Sequence, residues 1–143
     1  MTMPLTESNV LILPRVLIAD DHALFRKGLR SLLDASGAYQ VVAEAASGVE
    51  AIELSRQYRP QLIVMDLHMP QGDGLSAIAK ILKEQAAAIL VMSMFEDDSY
   101  VLAAARAGAK GYMLKSDDPG TVLRALDSLS RGDVFLALAS PKR

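Results

Sequence analysis

Five side chains in this sequence stand where plain packing would not put them: Asp20, Asp21, Asp66, Ser93 and Lys115. Each follows a short apolar run, namely Val16 to Ala19, Leu62 to Met65, Ile89 to Met92 and Gly111 to Leu114. Uncompensated charge at the end of a buried strand costs desolvation, so a purely structural account does not predict this set. Three clustered carboxylates repel one another and must hold either protons or a cation. Hard oxygen donors select Mg2+ or a similar ion, which uses one or two carboxylates plus a phosphate oxygen and keeps several waters. That leaves an aspartate free to attack phosphorus and form an aspartyl phosphate. Lys115 would then offset charge on the transferred group, and Ser93 would donate a hydrogen bond to it. The sequence has no Gly-x-x-x-x-Gly-Lys-Ser/Thr loop, and Gly72-Asp73-Gly74 reads as a turn. The phosphoryl group is therefore expected from a partner rather than from bound ATP.

These residues need a scaffold that brings strand ends together. The apolar runs are β-branched, aliphatic and too short for buried helices, so they read as strands. Tyr39 to Ala45 reads as another strand. Between them lie helical stretches. In Ala23 to Leu33, helical spacing puts Leu24, Gly28, Leu29, Leu32 and Leu33 on one side, with Gly37 as a stop. Gly48 to Tyr58 carries Val49, Ile52 and Tyr58 and is closed by Pro60. Leu75 to Leu82 and Tyr100 to Ala107 follow, the latter closed by Gly108. A last helix is expected with Asp118 as cap, Pro119 in its first turn and Gly132 past its end. Strands alternating with helices predict an α/β, doubly wound parallel sheet covered on both faces. Sites in such sheets form outside the carboxyl edge of the strands.

Composition agrees with one filled domain. Of 143 residues, 51% are hydrophobic and 22% charged, which argues against disorder along the chain. The net charge of −2 offers no basic footprint for nucleic acid. With no cysteine, disulfides and thiolate metal sites are excluded. No apolar run approaches the roughly 18 to 20 residues that span a bilayer, so no membrane partner is expected. Val10 to Leu13 has no preceding Lys or Arg, unlike a signal peptide, and a cytoplasmic location is expected.

Across about Arg15 to Leu138, the chain resembles the receiver domains of two-component response regulators. The matching motifs are Asp20-Asp21, the run Val64-Met65-Asp66-Leu67-His68-Met69-Pro70 with Gly72-Asp73-Gly74, Ser93, and Gly111-Tyr112-Met113-Leu114-Lys115. The first helix, from Asp21-His22 to Gly28-Leu29, is similar to the subgroup with a LuxR-type helix-turn-helix output (NarL/FixJ-like). The resemblance implies a flavodoxin-like five-stranded sheet of order 2-1-3-4-5. It implies that Asp66 is the phosphoacceptor for a sensor histidine kinase. Asp21, Asp66 and the backbone carbonyl of His68 would bind Mg2+, with Asp20 acting through water. Lys115 would contact the phosphoryl group, and Ser93 and Tyr112 would rearrange as a switch pair. A phosphorylation-dependent homodimer is implied, with DNA contacted only through an output domain absent from this chain. The expected organisation is a flexible leader over 1–14, the receiver over 15–138 and the start of a linker or a tail over 139–143.

Two positions depart from the family pattern. Ser116 follows Lys115 where many receivers have proline, which weakens the expectation of a cis bond there. Met94 follows Ser93 where a smaller residue is common, which would narrow water's path to the acyl phosphate.

Taken singly, several of these residues have plainer readings. Asp20-Asp21 would serve as a helix cap, Lys115 as a solvated loop lysine, Tyr112 as a half-buried sheet aromatic and His68 as a solvent-facing side chain. Only their order at separate strand ends favours chemistry. A small-molecule phosphatase would want a second carboxylate shortly after the nucleophile, where His68 stands. A stand-alone receiver, or an interaction module that never carries phosphate, is the remaining alternative.

Overall fold

The computed structural model describes residues 12–95 and 97–137. Most of the expected leader and all of the expected linker start lie outside the described residues. Strands and helices alternate along the chain: β1 (Arg15–Ala19), α1 (Ala23–Ser36), β2 (Gln40–Ala45), α2 (Gly48–Tyr58), β3 (Leu62–Asp66) and α3 (Gly74–Glu84). They are followed by β4 (Ala88–Ser93), α4 (Asp98–Ala107), β5 (Gly111–Leu114), α5 (Thr121–Ser130) and β6 (Phe135–Ala137). All strands are parallel, in the order β2-β1-β3-β4-β5-β6.

Alternation of side chains across the strands divides the core into two layers. Leu17, Ala19, Ile63, Met65, Ile89 and Val91 face α2, α3 and α4, meeting Ala51, Ile78, Ile81 and Ala104. Val16, Ile18, Val64, Leu90, Met92 and Met113 face α1 and α5, meeting Leu29, Leu33, Val122 and Leu126. Strands buried on both faces explain why their sequences are apolar throughout rather than alternating.

The expected order 2-1-3-4-5 is present, and the structure adds a sixth strand at its end. Gly132 turns the chain after α5 with φ +85°, and the N–H of Phe135 donates to the carbonyl of Lys110. β6 then lies in register with β5, Tyr112 opposite Leu136. Three residues are too few for a period to show in sequence.

Several helices differ in detail from the sequence expectation. Leu24 does not face the core; it is 86% exposed, and α1 packs through Phe25, Leu29, Leu32 and Leu33. Val49 also points outward, and α2 packs through Ala51, Ile52 and Ser55. Asp118 does not cap α5. Its carbonyl, with those of Pro119 and Gly120, starts a tight turn that accepts from Thr121, Val122 and Leu123 N–H. The carboxylate that matters there is that of Asp117, whose Oδ2 accepts from Leu114 N–H at 2.9 Å. α4 begins two residues earlier than expected because Asp97 caps it, accepting from Ser99 N–H at 2.8 Å. The described peptide bonds are all trans, Lys115–Ser116 included.

Candidate functional site

β1 lies between β2 and β3, so the chain leaves it in one direction and returns on the other side. The carboxyl ends of β1 and β3 therefore flank the crevice where such sheets bind ligands. Asp20 and Asp21 follow β1, and Asp66 ends β3. The carboxylates of Asp20, Asp21 and Asp66 and the imidazole of His22 bring ligand atoms within 4.8 Å of one another. Ser93 ends β4, and Lys115 follows β5. The strand-end residues singled out from the sequence thus gather at one edge of the sheet.

The acidic pair is fixed by its backbone. Asp20 N–H donates to the carbonyl of Ala45 at 2.9 Å, and Asp20 Oδ1 accepts from His22 N–H at 2.8 Å. Its side chain is 3% exposed and its Oδ2 lies 2.6 Å from Lys115 Nζ. Asp21 is more open, with 31% of its side chain exposed. One carboxylate is held inside, and its neighbour remains available to an incoming cation.

Asp66 is nearly buried as well, with a 5% exposed side chain. His68 N–H donates to Asp66 Oδ1 at 3.2 Å, while Lys115 Nζ lies 3.4 Å from Oδ2. Burial pushes the Asp66 carboxyl above the usual carboxylate range, against the pull of the His68 N–H and Lys115; the charge of Asp20 adds to the upward push. Such a group gains from any nearby positive charge. Gly74 permits its placement, because a Cβ there would collide with the Asp66 carbonyl and lie 2.7 Å from Leu67 Cα.

Lys115 spans both buried carboxylates, and its ammonium sits 4.7 Å from the centroid of the Phe25 ring. That cation–π contact from α1 helps to hold the amine between its partners.

Ser93 and Tyr112 both engage Phe95. Phe95 N–H donates to Ser93 Oγ at 3.1 Å, and Tyr112 O–H donates to the Phe95 carbonyl at 2.7 Å. Tyr112 is 2% exposed rather than half-buried, and burial pushes its phenol up. His68 is exposed as expected, yet it packs edge-on against Phe95 and Tyr100, with centroids 4.9 and 5.2 Å away. Met94 is 74% exposed and borders an opening with His22, Phe25, Lys115 and Ser116.

Sequence reasoning missed His22 as a neighbour of the acidic group, although its place directly after Asp21 was the available signal. It also missed Phe25 and the Phe95 bridge. Nothing in the spacing announces either contact.

A doubly wound parallel sheet with acids, a hydroxyl and a lysine at its carboxyl edge defines an α/β domain whose site lies at the strand ends. Residues 16–127 match the response regulator receiver domain, and the chain belongs to that family. It is 39% identical over 124 residues to the oxygen regulatory protein NreC of Staphylococcus aureus, covering 85% of this chain and 57% of that protein. The chain thus spans little more than half the length of the curated relatives it matches. Among solved structures, a LuxR-family two-component response regulator from Aurantimonas sp. SI85-9A1 superposes with a TM-score of 0.82 at 37% identity, covering 87% of this chain and 89% of that one. The isolated receiver of RcsB from Salmonella enterica serovar Typhimurium, solved with phosphomimetic BeF3-, gives 0.81 at 27% identity, covering 88% and 94%. The chain is therefore a receiver domain of the LuxR-family regulators. None of the described helices is long and apolar enough to cross a membrane.

Proposed function

We propose that this chain accepts a phosphoryl group onto Asp66 from a phosphohistidine of a sensor kinase and switches an output attached beyond residue 138. The carrying observation is the pairing of a nearly buried Asp66 with Lys115, beside an acidic pair within ligand distance. The Asp66 carboxylate attacks phosphorus, the N–P bond breaks, and the electron pair leaves with the donor imidazole.

The donor set of clustered carboxylates with an open Asp21 suits Mg2+. Asp21, Asp66 and the His68 carbonyl would hold it, with Asp20 acting through water. When bound, Mg2+ supplies positive charge to the phosphoryl oxygens. Asp66 supplies the nucleophilic oxygen, and Lys115 meets charge on the phosphoryl group. Ser93 would turn to donate its O–H to that group; the rotation takes its oxygen away from the bond it now accepts from Phe95 N–H and allows Tyr112 to move. Solution of the RcsB receiver with a phosphomimetic supports this reading.

The switched output is a phosphorylation-dependent homodimer that controls transcription through a DNA-binding part outside this chain. The receiver unit occupies 15–138, between a leader over 1–14 and the start of a linker at 139–143, and acts in the cytoplasm. The chain is a phosphoacceptor that turns over only its own phosphoryl group.

Intact mass after incubation with acetyl phosphate tests the reading. One added phosphoryl is expected, dependent on Mg2+ and absent in Asp66→Ala. Labelling that persists in Asp66→Ala overturns it. Sizing with Mg2+ and beryllium fluoride checks the dimer, and an unchanged elution volume removes that output.

A further inference from the structure

α1, like α5, starts without the usual aids of a helix N-terminus. His22 provides no side-chain cap, and the first turn contains no acidic residue to offset the positive end of the helix. Yet Asp21 lies directly before the N-cap His22 and must be held at the site from this helix start. A side chain from the next turn supplies the tether. Arg26 Nη1 donates to the backbone carbonyl of Asp20 at 2.6 Å, and Arg26 Nε donates to Glu44 Oε1 at 3.1 Å. Glu44, on β2, is gripped on its other oxygen by Arg30 Nη1 at 2.9 Å.

The parts are well buried for charged groups, with Arg26 and Glu44 side chains 16% and 18% exposed. The hydrogen bond from Arg30 foremost, with help from Arg26, holds the Glu44 carboxyl below its usual range. β2 thus fixes Asp20 twice: through the Ala45 carbonyl on its N–H, and through Glu44 and Arg26 on its carbonyl.

We infer that Arg26, aimed by Glu44, is a positioning residue for the cation site: it sets the peptide between Asp20 and Asp21 and so the direction of the Asp21 carboxylate. It touches neither cation nor phosphoryl group. The inference rests on the proposed Mg2+ site and adds a residue pair to it. Outer partners that orient metal-binding side chains typically change affinity by about 10- to 100-fold when removed. Lysine would not replace the arginine, because one ammonium lacks the planar fork that reaches a carbonyl and a carboxylate together.

The test is Mg2+ affinity by calorimetry for the wild type, Arg26→Ala, Arg26→Lys and Glu44→Gln, with thermal midpoints measured alongside. Arg56→Ala, which breaks a distant surface pair with Glu84, is the control. The expected result is binding weakened about tenfold in Arg26→Ala and severalfold in Arg26→Lys and Glu44→Gln, with the control unchanged. The double variant of Arg26 and Glu44 should lose little more than Arg26→Ala alone. If Arg26→Ala fails to fold, the two milder variants decide the matter. Lowered midpoints with affinity unchanged within twofold would overturn the positioning role and leave the cation site standing. No Mg2+ binding by the wild type would overturn both.

Discussion

Lys115 Nζ lies 2.6 Å from Asp20 Oδ2, closer than its 3.4 Å to Asp66. The lysine is thus committed to the acidic pair as much as to the proposed phosphoacceptor. Its side chain is 12% exposed, and those of the two aspartates 3% and 5%. Removing one partner from such a buried arrangement leaves carboxylates facing each other without compensation. Lys115→Ala should lose about 3 kcal/mol of stability in chelator-treated buffer. Much of that loss should return when Mg2+ is added. Urea melts with and without Mg2+ measure both quantities, and the variant should also fail to take up phosphoryl.

The raised pKa of Asp66 gives a pH dependence with a definite sign. Its folded carboxyl titrates above its unfolded value, so the fold favours the protonated form. That favour is fully present below the unfolded pKa and is lost as pH rises through the folded value. At neutral pH without Mg2+, Asp66 is therefore a source of strain. Asp66→Asn should raise the unfolding midpoint at pH 7, and the gain should vanish towards pH 3. A variant no more stable than wild type at pH 7 would show that Lys115 fully compensates the buried charge.

How far such relationships were legible in the sequence varies by residue. Asp66 and Lys115 announced themselves because each punctuates an apolar strand, and desolvation makes a charge there costly unless it has work to do. Leu24 misled because a helix's apolar side is broad. It lies one residue before Phe25, about 100° around the helix, and only one of the two reaches the core. Glu44 and Arg26 gave no signal at all. Their meeting depends on how β2 pairs with β1, where the register shifts after Val16, and sequence spacing carries no record of that. β6 was missed for its shortness.

Two glycines with opposite surroundings make a paired prediction. A Cβ at Gly74 would collide with the backbone of Asp66 and Leu67, neither of which can rotate away. Gly74→Ala should cost about 2 to 3 kcal/mol and reduce phosphoryl uptake by displacing the Asp66 carboxylate. At Gly28, in the exposed middle of α1, a Cβ meets nothing within 4 Å. Gly28→Ala should stabilise by about 1 kcal/mol with uptake unchanged. Thermal melts and mass spectrometry on both variants check the contrast.

The hydroxyl of Tyr112 should control how tightly the segment after β4 is held. It donates to the Phe95 carbonyl, and Phe95 in turn gives its N–H to Ser93 and stacks on Tyr100 in α4, centroids 5.1 Å apart. Tyr112→Phe keeps the ring and its packing but leaves that carbonyl without its donor, at a cost of about 1 kcal/mol. The loss should be local. Hydrogen exchange should quicken at Phe95 and in the first turn of α4, while the amides of β1 and β3 keep their protection. If the hydroxyl acts only through packing of the core, protection would fall evenly across the sheet, and the link between Tyr112 and α4 would have to be abandoned.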